Sequence, residues 1–277
     1  MKAVILAAGQ GSRLRPLTDR LPKCLVPMYR RPMIEYQMEY LDRAGFRECV
    51  IVVGYLGDMI RRRIGSRFGR INVKYVTNEI YDRTNNIYSL WLARSELNDD
   101  VLLLEGDLVY EYGLLQDVLR SRSLNVAVVD HFRPPMNGTV ILEQDGVSTA
   151  MVLKSQQPPD FDFRRALKTV NIYALSRDSL STAIVPELDS YVSRGLTGEY
   201  YEAVMSDLIG RGELQMAVHL TGSRMWTEID TEDELREAEQ QFAGLFRTSP
   251  AMPRAAAARA TARRNAASAE ARQARDR

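Results

Sequence analysis

Cysteine and histidine are scarce in this chain. Two cysteines, Cys24 and Cys49, in 277 residues exclude a disulfide framework. The two histidines, His131 and His219, form no zinc-spaced group and no Ser–His pairing of the acyl-transfer kind, and both read as structural. No apolar run approaches the roughly 18 residues needed to cross a bilayer. The stretch Ala3–Ala8 is too short for a signal-peptide core and runs straight into Gly9 and Gly11. The pattern reads as a cytoplasmic protein with reduced thiols. Charge of one sign is lacking as well: 37 basic and 36 acidic residues leave a net +1. Eight of the arginines fall in 247–277 against Glu270 and Asp276, a local +6, so 1–246 carry −5. A mildly acidic body is not a nucleic-acid-binding one.

What is present is ordinary globular composition, 45% hydrophobic and 26% charged. A chain near this length buries about 75% of its unfolded surface and needs no staple. Val4–Leu6, Val50–Val53, Val101–Leu104 and Val126–Val129 are continuous apolar runs, the pattern of strands buried on both faces. Helical spacing fills the gaps, over Met33–Ala44 with its stop at Gly45, and over Asn86–Leu97. Strand and helix in alternation predict βαβ units and a largely parallel sheet, with ligands beyond the carboxyl ends of the strands. Further on, Gly138–Leu142 and Asp145–Val147 predict a hairpin. Lys168–Leu175, Leu214–Leu220 and Trp226–Ile229 predict strands, and Gly198–Ile209 a helix. Thr231, with Glu234 three residues on, forms a capping box. The segment 247–277, nearly all Ala and Arg, has no apolar face to bury and is expected to be a solvated, disordered basic tail outside a domain of 1–246.

The most informative segment is Leu6-Ala7-Ala8-Gly9-Gln10-Gly11-Ser12-Arg13-Leu14-Arg15-Pro16-Leu17-Thr18, followed by Pro22-Lys23-Cys24. A buried strand runs into small residues whose backbone N–H groups can approach a phosphate. Ser12, Arg13 and Arg15 add donors, and Lys23 adds a point charge. Lys23 could also lower the pKa of Cys24, although a small packing residue is the simpler reading there. Asp107 and Asp230 each follow a strand, and two carboxylates leaving toward the same sheet edge suit Mg²⁺.

The run from Leu6 to Met28 resembles the signature of the nucleotidyltransferases that make activated sugars and activated phospho-alcohols. The resemblance implies a Rossmann-like three-layer α/β/α fold with a mixed, mostly parallel central sheet. It implies that Leu6, Ala7, Ala8, Gly9, Gly11 and Ser12 hold a nucleoside triphosphate, that Arg13 contacts the departing pyrophosphate, and that Lys23 steadies the phosphates. It also assigns Mg²⁺ to Asp107, Glu228 and Asp230.

The segment Asn78–Trp91 differs from the base-reading loop of the sugar enzymes and is similar to that of phosphocholine and phosphonate cytidylyltransferases. Asn85 and Asn86 can both donate and accept, as cytosine requires, and Ser89 lies one turn on. Lys168–Tyr173 and Glu199-Tyr200-Tyr201-Glu202 resemble the phosphonate branch. Tyr81, Tyr173, Tyr200, Tyr201 and Trp226 offer ring faces for a cationic headgroup. Lys154 and Lys168 are candidates for contact with the acceptor phosphate, and Glu199 joins Tyr200, Tyr201 and Trp226 as a candidate acceptor contact.

The reading is therefore a Mg²⁺-dependent cytidylyltransferase. It joins CMP from CTP to a small phosphate or phosphonate of the phosphocholine or aminoethyl-/hydroxyethyl-phosphonate type. The expected partners are CTP and that acceptor, with a homo-oligomer left open, no nucleic acid and no membrane span. The alternatives are an NTP:sugar-1-phosphate nucleotidylyltransferase and a catalytically idle nucleotide-binding regulatory homologue.

Overall fold

Alternation within the buried strands builds the layers. In Lys2–Ala7 every residue is buried. Ala3, Ile5 and Ala7 enter one apolar cluster, while Val4 and Leu6 enter a second. Glu48–Val53 and Val101–Glu105 divide in the same way. A sheet apolar on both faces needs cover on both. Met33–Arg43, Gly57–Ile64, Tyr112–Arg120 and Glu232–Gln241 cover the first face. Asn86–Leu92, Val185–Ser193 and Tyr201–Gly210 cover the second. This computed structural model describes residues 1–246. The tail expected at 247–277 lies outside the described residues.

The central sheet has ten strands, in the order Val140–Gln144, Val147–Val152, Ala217–Leu220, Val126–His131, Leu167–Leu175, Val101–Glu105, Lys2–Ala7, Glu48–Val53, Ile71–Thr77 and Arg67–Phe68. Seven run one way. Leu167–Leu175, Val147–Val152 and Arg67–Phe68 run against them. The sheet is thus mixed, with one direction dominant, as the sequence implies. Ala7 pairs with Val53, and Leu6 with Glu105. Three parallel strands therefore end together, and the loops after them open on one edge.

Several boundaries differ from the sequence reading. The helix read over Asn86–Leu97 ends at Leu92, and a 3₁₀ turn at Arg94–Glu96 follows. Arg94 leaves the helical face to lie over the Trp91 ring, 3.9 Å from its centroid. The helix read from Gly198 starts at Tyr201, and the strand read from Leu214 starts at Ala217. Trp226–Glu228 is outside the central sheet. It pairs antiparallel with Leu108–Tyr110 in a two-stranded ribbon, so Asp107 and Asp230 approach each other across that ribbon. The hairpin at Val140–Val152 forms as expected, and so does the capping box. Glu234 Oε2 accepts from the N–H groups of both Thr231 (2.8 Å) and Asp230 (2.7 Å).

Candidate active site

The glycine loop takes its shape from Gly11, whose φ is +62°, a region that costs little only for glycine. Its carbonyl accepts from the buried Thr18 hydroxyl (2.8 Å) and the Leu14 N–H (3.0 Å). Lys23 then lies against Gly11, at the start of a short 3₁₀ turn after Pro22. Its ammonium forms ion pairs with both Asp107 and Asp230. Arg13 reaches Asp230 Oδ1 at 2.8 Å. Burial alone lowers the Lys23 pKa, but Asp107 and Asp230 outweigh it and raise it above the usual lysine range.

Asp107, Glu228 and Asp230 bring one carboxylate oxygen each within 4.8 Å of one another. Asp107 Oδ1 is buried and accepts no hydrogen bond. An orphaned carboxylate oxygen in an all-oxygen triad fits a hard divalent cation such as Mg²⁺. Burial, then Asp107, pushes the Glu228 carboxyl up to about 7, against the pull of Lys168. Burial also raises Glu105, reinforced by Asp107 and Glu202. Five carboxylates thus share one neighbourhood with three cations.

Two cavities meet at this cluster. The first, of about 410 Å³, is lined by Leu6, Ala7, Ala8, Gly9, Gly11, Ser12, Arg13, Lys23, Asn85, Asn86 and Ser89, together with the carboxylate triad. Every one of these was read from the sequence as a nucleotide or metal contact, but Arg15, read as a further donor of the same loop, does not line the space: it is exposed and pairs with Asp19. The asparagines, however, are less free than the sequence reading assumed. Asn85 Oδ1 caps its helix by accepting from the Asn86 N–H (2.8 Å). Asn86 donates to Glu105 Oε1 (3.1 Å) and accepts from the Tyr201 N–H (2.9 Å). Ser89 accepts from Asn78 (3.1 Å). These amides shape the wall, and the nearby Tyr81 and Thr84 join it.

The second cavity, of about 1150 Å³, is lined by Lys154, Lys168 and Trp226, three of the candidate acceptor contacts. Lys154 donates to Asn137 Oδ1 (3.1 Å). The Trp226 indole N–H donates to Asp130 Oδ2 (2.9 Å), which also accepts from Arg133 (2.7 Å). Lys168 is buried and donates to the Thr169 carbonyl oxygen (2.6 Å). Burial lowers its pKa, opposed chiefly by Glu228 and Glu202. Tyr200, 52% exposed, lines both spaces.

Two expected acceptor contacts are corrected. Tyr201 and Glu199 line neither cavity. Tyr201 opens its helix facing inward, 1% exposed, its ring edge-on to Tyr173. Tyr173 is likewise fully buried core. Glu199 precedes that helix on an exposed turn. Cys24 fits the simpler reading of a packing residue: burial, then Asp107, pushes its thiol up to about 12, and the opposing effect of Lys23 is smaller. His131 and His219 line neither cavity.

Glu105 lines the site without having been singled out from sequence, as do Asn171 and Glu202, which fall inside the Lys168–Tyr173 and Glu199–Glu202 segments but have no role assigned to them there. The signal for Asn171 is a polar residue interrupting the apolar Val170–Ile172 run. For Glu202 it is a carboxylate at the start of an otherwise apolar helix.

Residues 2–243 match the Nucleotidyl transferase family. The chain belongs to that family. It is 35% identical over 244 residues to the CMP-5′-(3-aminopropyl)phosphonate synthase of Streptomyces rubellomurinus, covering 87% of this chain and 39% of that protein. It is 38% identical over 129 residues to the choline-phosphate cytidylyltransferase of Streptococcus pneumoniae, covering 46% of this chain and 53% of that one. The chain thus spans less than two thirds of the length of either curated relative. Among solved structures, the CTP:phosphocholine cytidylyltransferase from Streptococcus pneumoniae matches with a TM-score of 0.70 at 26% identity, covering 87% of this chain and 98% of that one. The fold of this nucleotidyl transferase chain is therefore the α/β fold of the family.

Proposed function

We propose that this chain is a cytidylyltransferase that joins CMP from CTP to a small phosphonate or phosphate and releases pyrophosphate. The observation that carries the reading is the meeting of two cavities at one cluster, with Arg13, Glu228 and Asp230 lining both. One cavity takes the nucleotide at the ends of the parallel strands, and the other takes the acceptor. The names of the relatives support CTP as the donor and a phosphonate or phosphocholine-type acceptor.

An acceptor oxygen attacks the α-phosphorus of CTP and forms a new P–O bond. The bond to the bridging oxygen of pyrophosphate breaks, and that oxygen leaves with the electron pair. The attacking oxygen is already ionised near pH 7, so no general base is required. Catalysis is then positioning and charge neutralisation. The loop from Ala8 to Ser12 positions the triphosphate with backbone N–H groups. Lys23 neutralises charge growing on the phosphates, and Arg13 holds the departing pyrophosphate. Asp107, Glu228 and Asp230 would hold Mg²⁺, which supplies Lewis-acid charge neutralisation when bound. Glu234 keeps Asp230 in place through its backbone N–H.

The test is pyrophosphate release with Mg²⁺ over four nucleoside triphosphates, each against phosphocholine, aminoethyl- and hydroxyethyl-phosphonate, inositol phosphate and glucose-1-phosphate. Turnover with CTP and a small phospho-compound is expected. Turnover only with glucose-1-phosphate would overturn the acceptor assignment and leave the transfer chemistry. Binding of CTP without turnover on any acceptor would favour an idle regulatory homologue.

A further inference from the structure

At the junction of the two cavities lie acceptor atoms that the transfer chemistry leaves unused. Glu202 is 5% exposed, and its Oε2 accepts no hydrogen bond. Asn171 Oδ1 is likewise buried and without a donor. Both residues line both cavities. Among the described residues, no basic side chain ion-pairs with Glu202. Lys23 and Arg13 are engaged by Asp107 and Asp230, and Lys168, although near enough to Glu202 for their charges to interact, donates its hydrogen bond to the Thr169 carbonyl. A buried carboxylate oxygen left without a donor is costly, and so is an orphaned amide oxygen.

The backbone at Asn171 argues the same way. Its φ is +60°, inside the strand Leu167–Leu175. The pairing with Val126–His131 shifts register between Thr169 and Tyr173, so the strand bulges around it. Glycine would hold that conformation without strain. A side chain is kept there despite the cost, on a residue that lines both cavities, and its carbonyl oxygen meets no protein donor.

We infer that Glu202 and Asn171 form a subsite for the primary ammonium group of a zwitterionic acceptor, an aminoalkyl phosphonate or phosphate. The inference rests on the transferase reading and narrows its acceptor. An ammonium supplies positive charge and three N–H donors, which answers a carboxylate oxygen and an amide oxygen together. A quaternary ammonium supplies charge without donors, and a plain alkyl end supplies neither. Tyr200 adds a half-exposed ring at the same junction.

The test is calorimetric binding of 2-aminoethylphosphonate, its N-trimethyl derivative and ethylphosphonate, with Mg²⁺ and α,β-methylene-CTP present. The protein should prefer the primary amine over both analogues by about 10- to 100-fold, the range of a hydrogen-bonded charge. Glu202→Gln should bring that preference below about threefold while ethylphosphonate binding holds. Asn171→Gly removes an acceptor and relieves the backbone, so it should weaken the preference while the melting temperature stays or rises. It thus remains informative if the Gln variant folds poorly. Equal affinity for the three compounds overturns the subsite, as does no binding of 2-aminoethylphosphonate, or a preference left intact in both variants. Pyrophosphate release is measured in parallel. An amine preference without turnover would overturn the transfer reading and leave the subsite standing.

Discussion

Gly11 and Lys23 are packed so closely that position 11 has no room for a side chain: a Cβ there would sit 2.9 Å from Lys23 Cβ and 3.1 Å from its Cγ. The glycine is required twice, by its left-handed φ and by the lysine behind it. Gly11→Ala should therefore cost about 1–2 kcal/mol from the backbone conformation alone. It should also push Lys23 off Asp107 and Asp230. A melting curve and a turnover measurement check this. The expectation is a stable but weakened protein with turnover reduced by about tenfold or more, a loss of over about 1.4 kcal/mol in transition-state stabilisation. Wild-type turnover in Gly11→Ala would show that the loop does not position Lys23.

Lys23 stands between two carboxylates and lines the nucleotide cavity, so its removal has two separable effects. Lys23→Ala should lower turnover by about 10²–10³-fold with little change in CTP affinity, as loss of a transition-state donor does. It also leaves Asp107 and Asp230 facing each other without their shared cation. Added Mg²⁺ should then raise the melting temperature of the variant more than that of the wild type. An unchanged Mg²⁺ response would disconnect the lysine from the metal-binding carboxylates.

Asp107 carries the cleanest evidence for a cation, because its Oδ1 is buried and unpartnered. Asp107→Asn keeps the shape and removes the charge. Mg²⁺-dependent turnover should vanish while the melting curve stays cooperative. The Mg²⁺ titration of pyrophosphate release decides it, and a wild-type titration curve in the variant would refute the assignment.

The nucleotide side of the site was legible in the sequence because it is local. Leu6 to Arg13 and Lys23 lie within one strand end and two short turns, so their convergence needs little tertiary information. Asp107 and Asp230 were legible as residues leaving strands, but their ribbon was not. The strand Trp226–Glu228 is three residues long, and nothing in it names Leu108–Tyr110 as its partner. Other elements were missed for a different reason. Ile71–Thr77 alternates buried and exposed residues at its start, unlike the continuous runs of the inner strands, because it lies near the sheet edge. Tyr112–Arg120 carries Leu114, Leu115 and Val118 at helical spacing in a short helix. The acceptor side was least legible. Glu202 and Asn171 reach the site through a helix start and a bulge, and neither orientation follows from spacing.

Cys24 lines the wall of the nucleotide cavity and tests the packing there. It is 3% exposed, beside Lys23 but held by Gly106 and the end of the first strand. The thiolate is the reactive form. Burial raises the pKa of the thiol from 9.0 to about 12, so it stays protonated from neutral pH up to about 12. Cys49 is fully buried and shifted in the same direction by burial. In the folded protein at pH 8, a disulfide reagent such as DTNB should therefore leave both thiols unmodified for hours, and both should react within minutes in guanidinium chloride. Labelling at the rate of a free cysteine would mean that Lys23 dominates Cys24 and activates it. Slow labelling tracks opening of the fold, so Gly11→Ala, which disturbs the adjacent Lys23, should speed it.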